Sequence, residues 1–392
     1  MRNLLGEGTV FGYCTNVHAG TDWEQTQTNL ERYSLLVKEQ VSPEEEMGLG
    51  LWLSARTSRY LVEGNGVAGL RRWLEKKGFL AYTLNGFPYG DFHRNKVKYR
   101  VYRPDWSERD RFDYTLSLAS ILAELIPEGE QGSISTLPIA WGKHADDPDF
   151  PEFIAAILLN LVENLERLES ETGRLIHIDF EPEPGCFLDT CGDVVDFFGY
   201  HLFGKARDDA VRRYLRVCHD ICHSAVMFEE ESEVWERYES AGIRIGKVQI
   251  SSALCIDFAT LGREEAVTAL EQLKGFQEDR YLHQTVIRNP DGTRVFYEDL
   301  PEAVSDRSEE PVPNGEWRVH FHVPIYVERS GRLGTTQARI SESLQLSRKR
   351  EAVKHYEVET YAWNVLPTRL RKGDLSEGIA KEMLWLRNTL TR

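Results

Sequence analysis

Carboxylates and imidazoles recur in this sequence at the ends of short apolar runs. In Ile176-His177-Ile178-Asp179-Phe180-Glu181, alternation puts Asp179 and Glu181 on the face opposite Ile178 and Phe180, and Glu183 follows. The run Arg216–Asp220 ends in His219 and Asp220, with His223 one helical turn on. The run Ile245–Ser251 carries Gln249, Ser251 and then Ser252, and Tyr356–Trp363 carries Glu357 and Glu359. Asn16 and His18 end the first apolar run and Asn85 the third, while His320 and His322 lie in a long segment after Ser251. A carboxylate on a buried strand is costly unless it is paired or ligates a cation. Several around one mouth, with imidazoles beside them, make a site for a divalent ion such as Zn, Mn, Mg or Fe.

The elements that must position these groups alternate in a steady order. Strands are predicted at Val10–Asn16, Met47–Leu53, Phe79–Leu84, Ser133–Ile139, Leu175–Phe180, Arg216–Asp220, Ile245–Ser251 and Tyr356–Trp363. Amphipathic stretches separate them: Trp23–Lys38, Leu61–Lys77, Asp110–Leu125, Phe150–Glu171, the segments between Cys191 and Leu215, and a helix reaching Ala241. After the seventh strand the rhythm loosens. A helix (Arg263–Phe276) precedes a hairpin, Tyr281–Asp299, turning at Asn289-Pro290-Asp291-Gly292, and Asp299–Gly315 reads as surface loop. The run Trp317–Tyr326, a helix Gln337–Glu351 and a closing helix Lys381–Leu390 complete the chain. Eight βα units without a linker favour one α/β domain over residues 1–392, a closed (β/α)8 TIM barrel with a large insertion at 256–316 after strand seven. A doubly wound open sheet is the alternative.

In such a barrel the strand ends form the site. Glu181 and Glu359 are the candidate proton-transfer groups, and His223 would orient a substrate oxygen. His18, Asn85 and Ser251 are candidate substrate contacts. His144 beside Asp146 and Asp147 reads as solvated loop, and Glu229–Glu231 as a solvated helix end. His93, Arg94, Lys96, Lys98 and Arg100 form a basic run that either meets an anionic substrate or lies in solvent. Tyr82, Phe87, Tyr89 and Phe92 either wall the pocket or pack.

Composition narrows the classes. The 392 residues are 41% hydrophobic and 28% charged, ordinary globular usage, and the net charge of −16 disfavours nucleic acid as a partner. The six cysteines have no Cys-x-x-Cys pair and read as free buried thiols. Gly-x-Gly-x-x-Gly after the first strand, Walker A and Gly-x-Ser-x-Gly motifs are absent. The longest apolar run, Phe153–Val162, is interrupted by Asn160, and Met1–Cys14 lacks the pattern of a secretory leader, so the expected location is the cytoplasm.

Glu181 after its strand, Asp220-x-x-His223, Gln249-Ile250-Ser251 and Glu359 together resemble the xylose-isomerase-like barrel superfamily, which includes sugar isomerases, keto-sugar epimerases and endonuclease IV repair enzymes. The resemblance implies that Glu181, Asp220 and Glu359 hold a divalent metal with the residue on strand seven. That residue is usually His, and here it is Gln249. His320-Phe321-His322 is similar to the Asp-x-His element of the repair enzymes, and would supply the missing imidazole. The stretches Tyr13–His18, Thr83–Gly90, Glu181–Pro184, His320–Pro324 and Glu359–Trp363 resemble the EboE family of metabolite traffic proteins. That likeness implies a role in maturing or moving secondary-metabolite precursors toward the periplasm, with a small-molecule metabolite and other proteins of the same gene cluster, membrane-bound ones included, as partners. Three readings follow: a metal-dependent isomerase or epimerase, a binding or handover protein without turnover, and, third, a repair endonuclease.

Overall fold

The computed structural model describes residues 1–144, 146–205, 207–307, 313–350, 353–371 and 373–391. Eight parallel strands form its centre, and their order follows from a single winding of the chain: Val10–Tyr13, His355–Val358, Ile245–Ile250, Leu215–Asp220, Leu175–Phe180, Gln131–Thr136, Phe79–Asn85 and Met47–Trp52. A parallel bridge between Cys14 and Gly50 joins the two ends, so the sheet closes into a (β/α)8 barrel rather than remaining open. Closure depends on two small residues. A Cβ on Gly12 would stand 2.5 Å from the Gly48 carbonyl oxygen, and one on Gly48 equally close to that of Phe11.

Alternation divides the residues of each strand. In the fifth strand Ile176, Ile178 and Phe180 face the surrounding helices, and His177 and Asp179 face the barrel axis, with Glu181 next above them. The helix Phe150–Thr172 covers this outer layer with Ile154, Leu158, Leu161, Val162 and Leu165, spaced for one face, and ends at Gly173 in the left-handed conformation. The barrel interior is unusually polar. Lys247 is paired with Glu357 at 2.5 Å and donates to Ser135 across the barrel at 3.2 Å. His355 bonds Ser133 at 2.8 Å, and His177 bonds Asp179 at 2.6 Å. Bulges aim part of this layer: Tyr82 is the extra residue opposite Leu49/Gly50, and Gly246 the extra one opposite Val217/Cys218, where the Asp179 carboxylate fills the space a side chain would need.

The segment between the seventh and eighth barrel strands builds a second, antiparallel sheet of six strands, ordered Arg294–Tyr297, Thr285–Arg288, Glu316–Val319, Leu254–Asp257, Leu333–Thr335 and Arg329–Ser330. It draws on residues to either side of the 256–316 range read from sequence. The hairpin turning at Asn289–Gly292 is present, with strands Thr285–Arg288 and Arg294–Tyr297. Other expectations need correction. Leu61–Lys77 is two helices, Ala55–Glu63 and Val67–Lys77, parted at Gly64-Asn65-Gly66, where Asn65 has a φ of 51°. The supposed loop after Asp299 opens with a helix, Leu300–Asp306, which Asp299 caps and Pro301 starts. Ser308–Val312 of that loop, and Glu351 at the expected end of the later helix, lie outside the described residues. The final strand stops at Val358, and Tyr361–Val365 turns as a 3-10 helix. No helix among the described residues is long and apolar enough to cross a membrane.

Candidate metal centre

At the C-terminal mouth of the barrel, Glu181, Asp220 and Glu359 bring ligand oxygens within 4.8 Å of one another. Two of the three are held by fixed donors on one oxygen. Asn16 and Asn85 both donate to Glu359 Oε1, at 2.6 and 3.1 Å. The Ser251 hydroxyl and the His223 backbone N–H donate to Asp220 Oδ1, at 2.7 and 2.9 Å, the second bond also capping the helix Ile221–Val226. Asp220 Oδ2 and Glu181 Oε2 are buried and have no hydrogen-bond partner. Three buried acids in apposition, two of them with an unpartnered oxygen, are costly unless protons or a cation separate them. The acids respond accordingly: burial and then the Asp220 charge push Glu359 up to about 7, and burial and then Glu359 push Glu181 well up. Asp220 stays below the ordinary range, because His223, His322 and the Ser251 hydroxyl outweigh the burial that opposes its charge.

A group of imidazoles adjoins the acids. His223 Nδ1 lies 2.9 Å from the Pro182 carbonyl and His322 Nδ1 3.0 Å from that of Glu359, so both Nδ1 atoms carry hydrogen and are spent on these carbonyls. His320 Nδ1 lies 2.8 Å from Gln284 Oε1, whose amide nitrogen is spent on Glu183, Tyr102 and the Pro184 carbonyl, which fixes the same tautomer. The Nε2 atoms of His223 and His320 face each other at hydrogen-bond distance, 3.2 Å, and that of His322 has no partner. Donating one ring nitrogen to a fixed acceptor while presenting the other is how ligating histidines are held. Burial, followed by the neighbouring imidazoles, holds His320 well below the usual range. Burial also leads for His322, which sits at about 4 although the Asp220 charge opposes the fall. Ligand atoms of Asp220, His223 and His322 form one compact group, and those of Glu183, His223 and His320 another. The donor set therefore fits a divalent cation: a carboxylate lobe and an imidazole lobe share Asp220, and unsatisfied atoms converge in both.

The remaining sequence candidates are placed as follows. Gln249 is buried beside Glu359, between Asp220 and Glu357 in register, and neither of its amide atoms has a partner of good geometry. Ser251 holds Asp220 and accepts from the Cys222 N–H, so its hydroxyl is spent on positioning. Asn85 lines the cleft, but its amide is engaged at both ends, by Glu359 and by the Phe87 N–H. His18 is drawn aside: it bonds the Tyr13 hydroxyl at 3.0 Å, stacks on Tyr33 and lines a separate small cavity with Leu30 and Trp52. Of the ambiguous groups, Phe87, Phe92 and Lys98 line the cleft, whereas Tyr89 packs on Tyr114 and Tyr82 donates to the Tyr356 carbonyl within the barrel. His93 bonds the Asn16 carbonyl. Glu183, Tyr102, Gln284 and Tyr361 complete the cleft and its supports, with Glu183 the one signalled in sequence by its place two residues beyond Glu181.

Solved structures share this fold at low identity. A xylose isomerase-like TIM barrel protein from Mycobacterium smegmatis, in complex with magnesium, superposes with a TM-score of 0.51 at 10% identity, covering 98% of this chain and 97% of that one. A xylose isomerase domain protein from Alicyclobacillus acidocaldarius gives 0.47 at 12% identity, covering 97% and 99%. The IolI protein with a binding zinc atom gives 0.46 at 12%, covering 96% and 97%. No protein-family model matches the chain, and no curated protein does. The architecture is thus a (β/α)8 barrel, the fold shared with the xylose isomerase-like protein from Mycobacterium smegmatis.

Proposed function

We propose that the protein is a divalent-metal-dependent barrel enzyme of the isomerase or epimerase type, acting on a small substrate with adjacent oxygens. The observation that carries this reading is the convergence of Glu181, Asp220 and Glu359, with buried, unpartnered oxygens on two of them, at the floor of an open cleft. The magnesium and zinc named with similar barrels agree with it. A bound divalent ion would act as a Lewis acid toward a chelated hydroxy-carbonyl, making the proton between the two oxygens acidic. Asp220, fixed by Ser251 and the His223 N–H, and Glu181 would hold the ion, with Gln249 and the imidazoles beside them. Glu359 lines the cleft, is oriented by Asn16 and Asn85, and titrates near neutrality, so it suits removing and returning the proton. The His223 ring lines the cleft as well, where it can meet a substrate oxygen.

The test is hydrogen exchange. Metal-loaded protein in deuterated water, given a panel of α-hydroxy ketones with sugar, alkyl and aryl bodies, should introduce deuterium at the hydroxyl-bearing carbon. Glu359→Gln should slow this by about a hundredfold or more. Full activity in that variant would overturn the assignment.

A second reading, binding and handover without turnover, is favoured by Gln249, whose neutral amide is a weaker ligand than an imidazole. Ligand held for hours without product, followed by mass spectrometry, would select it. In either case the pathway role we propose is that of EboE-type metabolite traffic proteins, on the strength of the five motif stretches, with partners encoded in the same gene cluster.

A further inference from the structure

The cleft above the carboxylates has walls unlike its floor. Its mouth included, it takes in about 520 Å³ of space, part of it open to solvent. The floor presents Glu181, Glu183, Glu359, His223 and His320. The walls are Phe87, Phe92, Val97, Val101, Tyr281 and Leu282. Of the hydroxyls beside them, that of Tyr281 donates to the Phe92 carbonyl at 3.2 Å and that of Tyr102 to Glu183 at 2.8 Å, which leaves the Tyr361 hydroxyl, 3.5 Å from His320 Nε2, and the unpartnered Asn16 Oδ1 beside the floor groups His320 and Glu359. Among the described residues Lys98 is the one lysine or arginine that lines the cleft, and it is already paired with Asp299 at 2.5 Å and donates to the Glu278 carbonyl at 3.2 Å.

We propose that this cleft takes a substrate with two adjacent oxygens at one end and an uncharged apolar or aromatic body at the other, and not a free or phosphorylated sugar; the proposal rests on the metal-dependent reading above. A polyol chain entering the cleft would leave hydroxyls against Val97, Val101 and Leu282 with nothing to bond, and each would lose its water uncompensated. A phosphate would meet three carboxylates and a lysine whose charge is spent. An aryl or alkyl body instead gains from burial against Phe92 and Tyr281, whose rings lie 5.1 Å apart.

Three bidentate probes test this on the intact metal-loaded protein, its metal content measured first: acetohydroxamate, benzohydroxamate and a hydroxamate bearing a trihydroxylated chain. Calorimetry should find benzohydroxamate at least about tenfold tighter than acetohydroxamate, with no gain from the polyol chain. Val101→Asn should remove most of the aryl advantage and leave acetohydroxamate binding in place. Equal affinities, a preference for the polyol, or an aryl advantage untouched by Val101→Asn would overturn the substrate class while the metal reading stood. Absence of metal would overturn both.

Discussion

Single atoms carry most of the functional argument. Asp220 Oδ1 takes two hydrogen bonds and Oδ2 none, while three imidazoles spend Nδ1 on fixed acceptors, and Nε2 of His322 has no partner. A cation held by Asp220 and Glu181 favours the ionised form of Glu181, which it binds, and of Glu359 beside it, whereas burial with mutual repulsion raises both, Glu359 to about 7. Metal binding must therefore displace protons below that pH, so affinity should rise as pH increases through about 7 and level off above it. Calorimetry in two buffers of different ionisation enthalpy should register proton release at pH 6 that fades by pH 8; a pH-independent affinity would show that the ion does not sit among these acids. Much of this was legible in the sequence. Glu181, Asp220 and Glu359 each stand at or just past the end of an apolar strand, where alternation and the barrel rule put them at one mouth. His18 stands in a similar place and is diverted, because Tyr33 and the Tyr13 hydroxyl lie within its reach, contacts that no spacing rule foretells.

At the scale of elements, the inner face of the barrel supports the mouth from below. Lys247 and Glu357 are both fully buried and paired, and although burial works against the ammonium, Glu357 holds it above the usual lysine range. Lys247→Met would leave Glu357 charged and uncompensated and should destabilise the fold by about 3–5 kcal/mol, with much of that recovered in Lys247→Met/Glu357→Gln. Denaturant melts of the two proteins check it, and equal stability of the single and double variants would contradict it. The helix Leu375–Leu390 supplies a second device. Its Glu382 accepts from the Ile325 N–H at 3.0 Å and the Thr360 hydroxyl at 2.6 Å, tying the second sheet's trailing segment to the loop after Glu359. Burial raises Glu382 to about 7. A carboxyl whose folded pKa exceeds its unfolded one gives stability that is full below the unfolded value and is lost as pH rises through the folded value. Wild type should thus weaken between about pH 4.5 and 7, whereas Glu382→Gln, neutral throughout and still an acceptor, should be flatter and on the order of 3 kcal/mol more stable at pH 8. Thermal melts at pH 5 and 8 decide; parallel pH profiles would contradict the assignment. The barrel strands were readable from alternation, but the second sheet was only half so: its hairpin carries a turn signal, whereas Leu254–Asp257 and Leu333–Thr335 are short strands paired far along the chain.

Across the whole molecule, the interruption after the seventh strand does more than extend the chain. It brings His320, His322, Gln284 and Tyr281 over acids contributed by three other strands. The two histidines are legible in the sequence by motif likeness and Gln284 is not, because the position of a side chain on an inserted sheet depends on how that sheet docks. A bound ion would join these two bodies of structure, and saturating it about a hundredfold above its dissociation constant should add about 2.7 kcal/mol to stability. The central claim is that the mouth holds a metal. Elemental analysis by plasma mass spectrometry, on protein purified without chelator or immobilised nickel, addresses it most directly. The account predicts about one or more equivalents of Zn, Mn, Mg or Fe per chain, lost in a folded Asp220→Ala protein. No metal in wild type, even after reconstitution, would contradict it.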